Sequence, residues 1–251
     1  MSTPVIDGLA PRTHGLENHD EELLWARRGT AYFARKLNEL HDELFHTPSL
    51  LPGWERAHVI AHVGYNARGI ARLIEWAATG VETPMYSSPR QRNEEIEFGA
   101  TLTPIALRNL FDHAAVHLNV EWRDLSAAGW QAEVVTAQGR TVHATETAWM
   151  RAREVWIHAI DLDNGASYVD FPPEFVDALV QDVVGAWQRK GERADVVLQP
   201  TDRAYRASGG GSDDIVVNGT AADIARWLTG RGARRLTVTG ADALPELPHW
   251  L

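Results

Sequence analysis

Apolar residues recur at helical spacing over four long stretches of the chain. The first runs from about Asn18 to Leu44, with Leu23, Leu24, Ala31, Phe33, Ala34, Leu37 and Leu40 mostly three and four apart. SLLPGW then interrupts the pattern, with Pro52 and Gly53 as breakers. A second amphipathic stretch covers about Trp54 to Thr79, and Gly80 marks its stop. A third starts at Pro104 and keeps the period through Leu107, Phe111, Leu118 and Trp122 to about Leu125. A fourth spans Glu146 to about Leu162, with Thr145 placed to cap it. Four amphipathic helices bury their apolar stripes together as a four-helix bundle, which predicts that architecture for residues 18 to 165.

The intervening pieces carry weaker patterns. VETPMYSSPRQRNEEIEFGATLT, residues 81 to 103, reads as a connection with one short helix near Asn93; a connection of that length often covers or serves a site. AEVVTAQGRTVHAT predicts a small hairpin turning at Gln138 and Gly139.

Beyond residue 165 the pattern changes. PPEFVDALVQDVVGAWQRKG is a helix entered through prolines. ADVVLQP, RAYRAS, DDIVVNG and RLTVTG are short β-prone runs, and TAADIARWLTGR is a helix with Thr220 as its cap. SGGGSDD lacks the ending a phosphate-binding loop requires and reads as a turn. The expected class is therefore α+β, a four-helix bundle over 1–165 followed by a smaller α/β domain over 166–251.

Composition narrows the chemistry. The formal net charge is −10, from 34 acidic and 24 basic residues, which disfavours nucleic acid and anionic membranes as partners. A small anionic substrate needs only a local group of arginines. There are no cysteines, so any thiol chemistry must use a thiol from outside the chain. The N-terminal MSTPVIDGLAPRTHG lacks a basic region followed by an apolar run, and no stretch is long and apolar enough to span a bilayer. The expected location is the cytoplasm, and the expected state a monomer.

Three polar pairs sit four apart on the predicted helices: His58/His62, His113/His117 and Glu154/His158. That spacing puts both members on one face, within reach of one metal. The third pair lies among Trp149, Met150, Val155, Trp156, Ile157 and Ile160. A carboxylate in such surroundings must be paired or coordinated. Arg151 and Arg153 are too close in sequence to lie along the face of Glu154, so a salt bridge would need a partner from another helix. Asp161 is placed to hold the second ring nitrogen of His158, as metal-bound histidines require. A histidine from HVIAHV would make a third ligand, leaving the open position typical of catalytic zinc. His113 and His117 fit the same scheme by spacing.

The chain also resembles a known family. LPGWERAHVIAHVGYNA, ETPMYSSPRQRNEEIEFGATLTPIALRNL, TAQGRTVHATETAWMRAREVWIHAIDL, IVVNGTAADIARWLTGRG and PELPHWL are similar to segments of the mycothiol-dependent maleylpyruvate isomerases, whose bundle is DinB-like. The resemblance covers the chain from about residue 20 onward. It implies a DinB-like four-helix bundle, with His62, Glu154 and His158 as zinc ligands and water or thiol in the fourth place. It implies that Arg92 in QRNEEI and Arg231 in LTGRG act on the substrate, so that the second domain contributes to the active site.

The reaction implied is the cis-to-trans conversion of maleylpyruvate to fumarylpyruvate, as in gentisate breakdown. Zn2+ would keep the thiol of mycothiol ionised. The thiolate would add to the conjugated carbon, allow rotation, and leave. Two arginines suit a small dicarboxylate substrate, because guanidinium binds carboxylate in bidentate fashion. Tyr65, Asn66, Met85 and Tyr86 are candidate linings for mycothiol. A mycothiol-dependent S-transferase would share the metal triad but not need the arginines. A non-catalytic metal-binding bundle would show a fourth protein ligand.

Overall fold

In a computed structural model of the chain, residues 6–10, 12, 14, 15 and 19–250 are described. They form two compact units, one from the described residues of Thr13–Ala166, the other from those of Met1–Arg12 and Ser167–Leu251.

The first unit contains helices α1 (His19–Glu39), α2 (Arg56–Thr79), α3 (Pro89–Ala100), α4 (Pro104–Asp124), α5 (Ala127–Trp130) and α6 (Glu146–Asp161). Between α5 and α6 lies the antiparallel hairpin of β1 (Glu133–Val135) and β2 (Thr141–His143). The expected start of the first helix at Asn18 lies outside the described residues. Its expected end at Leu44 falls earlier, and Asp42–Leu44 form a separate 3₁₀ turn.

The four long helices make the expected bundle. α1 packs chiefly on α6 and α2 on α4, while α2 also meets α6 and α1 meets α4. The apolar period accounts for this: Phe33, Leu37, Ile60, Leu73, Leu107, Phe111, Trp149 and Val155 are all buried. The α1–α6 contact is close because Gly29 leaves its backbone bare. A Cβ there would fall 2.5 Å from Val155 Cγ2 and 2.7 Å from Trp156 Nε1. Trp156 Nε1 also donates to the Trp25 carbonyl at 3.0 Å.

The short helix expected near Asn93 within the stretch 81 to 103 is α3, which runs for 12 residues, packs on α2 and carries Arg92. Pro89 opens the helix and Ser88 Oγ accepts from Gln91 N at 3.1 Å, a cap that overrides its weak apolar period. Thr145 stands at the start of α6 but makes no side-chain cap.

In the second unit, a 3₁₀ turn (Tyr168–Asp170) leads to α7 (Pro173–Lys190). A mixed sheet follows, with strands β3 (Val197–Pro200), β4 (Ala207–Ser208), β5 (Val216–Gly219) and β6 (Thr237–Thr239) in the order β4-β3-β5-β6. β3 and β5 are parallel and the other pairs antiparallel. α8 (Ala221–Leu228) lies between β5 and β6 in the chain and packs on α7. Thr220 Oγ1 caps α8 by accepting from Asp223 N at 3.1 Å. The molecule is thus α+β. Residues 6–10 join this unit rather than the bundle: Arg206 N donates to the Asp7 carbonyl at 2.8 Å, and Gln181 Nε2 to the Ala10 carbonyl at 3.0 Å. No helix among the described residues is long and apolar enough to cross a membrane.

Candidate metal centre

Where α2 meets α6, the side chains of His62, Glu154 and His158 converge. One donor atom from each lies within 4.8 Å of the others. Glu154 Oε2 stands between the two rings, 2.8 Å from His62 Nε2 and 3.3 Å from His158 Nε2. The rings themselves are 4.7 Å apart and nearly perpendicular. Glu154 and His158 share the inner face of α6 because one helical turn separates them. His62 is buried in α2, its ring edge-on to Trp54 at 5.7 Å. Glu154 and His158 keep side-chain exposures of 23% and 15%, so the cluster is reachable from one side.

The surrounding groups set the proton positions. Asp161, fully buried, accepts at 2.8 Å from His158 Nδ1, as its position three residues further along α6 predicts. Arg92 Nη2 approaches His62 Nδ1 at 3.4 Å. Guanidinium only donates, so Nδ1 accepts and Nε2 carries the proton towards Glu154. Burial pushes the His62 pKa down, against the pull of Glu154. Burial would also lower His158, but Asp161 and Glu154 outweigh it and push its pKa up to about 9. For Glu154 burial acts upward and is outweighed by the two imidazoles, which hold the carboxyl well below its usual range. Two nitrogens and one oxygen, converging with a carboxylate behind one imidazole, fit a divalent ion such as zinc in donor type and number.

The other histidines of the three pairs lie away from the cluster. His58 is the third residue of α2, and its Nδ1 accepts from Glu55 N at 3.2 Å while the Glu55 side chain accepts from the His58 backbone. This reciprocal cap turns His58 towards the helix start, and its Nε2 lies 3.5 Å from Glu97. His113 and His117 are exposed on α4, and His117 pairs with Glu121 at 3.2 Å. None of the three joins the cluster.

Arg151 differs from its sequence expectation. It lies three residues before Glu154, which does place it on the buried face. The residue is 1% exposed, and its guanidinium donates through Nη1 to the Val63 carbonyl at 2.8 Å and Asn66 Oδ1 at 2.9 Å, while Nη2 has no partner among the described residues. Burial lowers its pKa to about 10. The spacing of Arg151, Glu154 and His158 was the signal for it. Asn66 is thereby committed to Arg151, and Tyr65 lies buried against Gly99. Trp54, beside His62, had no distinguishing signal. Arg231 belongs to the second unit, just past α8, where its Nη1 donates to the Thr229 carbonyl at 2.6 Å.

The chain is similar to known proteins. Residues 26–163 match the family described as the mycothiol maleylpyruvate isomerase N-terminal domain, and residues 170–249 its C-terminal domain. A crystal structure of a mycothiol-dependent maleylpyruvate isomerase is similar at 45% identity and a TM-score of 0.87, over 92% of this chain and 97% of that one. A histidine-to-alanine mutant of such an enzyme is similar at 44% identity, with the same TM-score and coverage. YfiT from Bacillus subtilis, described as a probable metal-dependent hydrolase with an unusual four-helix bundle topology, shares the fold. It is 15% identical with a TM-score of 0.50, over 62% of this chain and 90% of its own. Among curated proteins none matches the chain.

Proposed function

This chain belongs to the mycothiol-dependent maleylpyruvate isomerase family, and on that premise we propose that it converts maleylpyruvate to fumarylpyruvate using mycothiol and zinc. The observation that carries the reading is the cluster of His62, Glu154 and His158, three converging donors with one accessible side. Three protein ligands leave tetrahedral zinc one position for an outside ligand. When bound, zinc supplies a Lewis acid that keeps a thiol ionised near neutral pH. The chain offers no thiol of its own.

The residues divide the remaining work. Asp161 fixes the ring of His158 through Nδ1 and makes Nε2 the better donor. Were Nε2 of His62 to hold the metal, its proton would reside on Nδ1, which would then no longer accept from Arg92. The guanidinium, 3.4 Å from Nδ1, would be free to bind a substrate carboxylate or the negative charge that develops on the ketone oxygen. The role of Arg231 on substrate rests on the LTGRG resemblance alone.

The test follows maleylpyruvate by absorbance, with mycothiol and zinc each present or omitted. Conversion should require both. Arg92→Ala and Arg231→Ala should each lower turnover at least tenfold, the loss expected when a charge-assisted hydrogen bond is removed, with zinc content unchanged. Full turnover in both variants would refute the arginine roles. Absence of thiol-dependent conversion in the wild type would refute the isomerase reading.

A further inference from the structure

Tyr86 has no part in the chemistry above, yet the fold holds it beside the same face of α2. The segment carrying it is fastened at several points. Arg72 Nη1 donates to the Met85 carbonyl, Thr83 Oγ1 donates to the Arg72 carbonyl at 2.7 Å, and Ser87 N donates to Gln91 Oε1 at 2.6 Å. The Met85 side chain is buried. The tyrosine ring lies against Gly69, where a Cβ would stand 3.4 Å from both Cζ and Oη of Tyr86. Gly69 is seven residues after His62, hence on the same face of α2 and about 10 Å further along its axis.

The hydroxyl has no structural work. It makes no hydrogen bond to any described residue, and Tyr86 is only partly buried, which leaves the hydroxyl's donor capacity for a ligand. Tyr86→Phe therefore removes no contact that the fold depends on. Glu154 and Arg92 both act on the phenol: burial first, then Glu154, raise its pKa to about 12 despite Arg92. It stays protonated throughout the working range and is available as a donor.

We propose that Tyr86 Oη donates a hydrogen bond to a substrate carboxylate, at the end of the molecule remote from the thiol. The assignment rests on the isomerase reading, since it needs a dicarboxylate bound alongside the metal. The distance along α2 between His62 and Gly69 suits an extended chain of several carbons, one end near the metal ligands and the other at the phenol. A neutral donor beside Arg92 also lets two carboxylates bind without a second fixed cation in the same unit.

The test compares wild type with Tyr86→Phe, both zinc-loaded. Pimelate, a stable dicarboxylate with the seven-carbon length of maleylpyruvate, is titrated by calorimetry, and the KM values for maleylpyruvate and mycothiol are measured separately. A hydrogen bond to a charged group corresponds to roughly a tenfold or greater effect. The expected result is pimelate binding and maleylpyruvate KM each weakened about tenfold, with kcat, mycothiol KM and zinc content near wild type. Equal pimelate affinity in the two proteins, or a change confined to the mycothiol KM, overturns the assignment. A wild type that turns over no maleylpyruvate defeats the isomerase reading instead, and the pimelate titration still decides whether Tyr86 holds a dicarboxylate.

Discussion

His158 holds a proton where the proposed zinc would sit. Its Nδ1 faces Asp161 at 2.8 Å and its Nε2 faces Glu154 at 3.3 Å, so the ring lies between two carboxylates and its pKa rises to about 9. Zinc needs Nε2 without that proton, so loading the metal-free protein below pH 9 must release it. The sign follows: a raised pKa means that protons compete more strongly as pH falls. Zinc affinity is expected to rise about tenfold per pH unit between pH 6.5 and 8.5 and to level off near pH 9. Chelator competition across that range measures it, and a flat profile would contradict a protonated His158. Asp161→Asn should move the levelling-off to lower pH and weaken zinc about 10- to 100-fold on the plateau. Of this site, the pair on α6 and its supporting Asp161 were legible from spacing within one helix. The choice between His58 and His62 was not, because both lie in HVIAHV. What separates them is the start of α2, where His58 is used to cap Glu55 N.

At the level of the element, α6 has two duties that depend on different faces. One face presents Glu154 and His158 to α2, and the other packs on α1 through Val155 and Trp156. The second contact has no spare space at Gly29. Gly29→Ala would force a methyl against Val155 Cγ2 and the Trp156 indole, both buried in the bundle. Overpacking of that kind costs about 1–3 kcal/mol, which exceeds the gain of under 1 kcal/mol that alanine brings to a helix interior. The midpoint of urea unfolding should therefore fall in the variant; an unchanged or higher midpoint would show that α1 can move aside. The long helices could be read from sequence because each carries its apolar stripe over several turns. α3 was legible only as a short helix near Asn93 and not to its full extent, because only Ile96, Gly99 and Ala100 of its 12 residues are buried, too few for a period to stand out. The sheet of the second unit was legible as short β-prone runs, but not its parallel β3–β5 pairing, since two to four residues per strand specify no neighbour.

For the molecule as a whole, the proposed zinc ligands come from α2 and α6, two helices far apart in the chain and both within the unit of Thr13–Ala166. An ion held between them binds the folded bundle and not the unfolded chain, so it stabilises that fold by mass action. At free zinc a hundred times its Kd the gain is about 2.7 kcal/mol. Amides that exchange only when α2 and α6 separate should then exchange roughly a hundredfold more slowly. Hydrogen exchange with and without zinc can locate this gain residue by residue, independently of any catalytic assay. Protection should rise most around His62 in α2 and from Glu154 to Asp161 in α6, where Asp161 is also held through its carbonyl by Leu50 N at 3.0 Å. Alanine at His62 should abolish the zinc-dependent part while leaving the zinc-free protection of the bundle near wild type, because the surrounding apolar stripe remains. A zinc effect that persisted in that variant, or that fell only on amides outside Thr13–Ala166, would place the ion elsewhere.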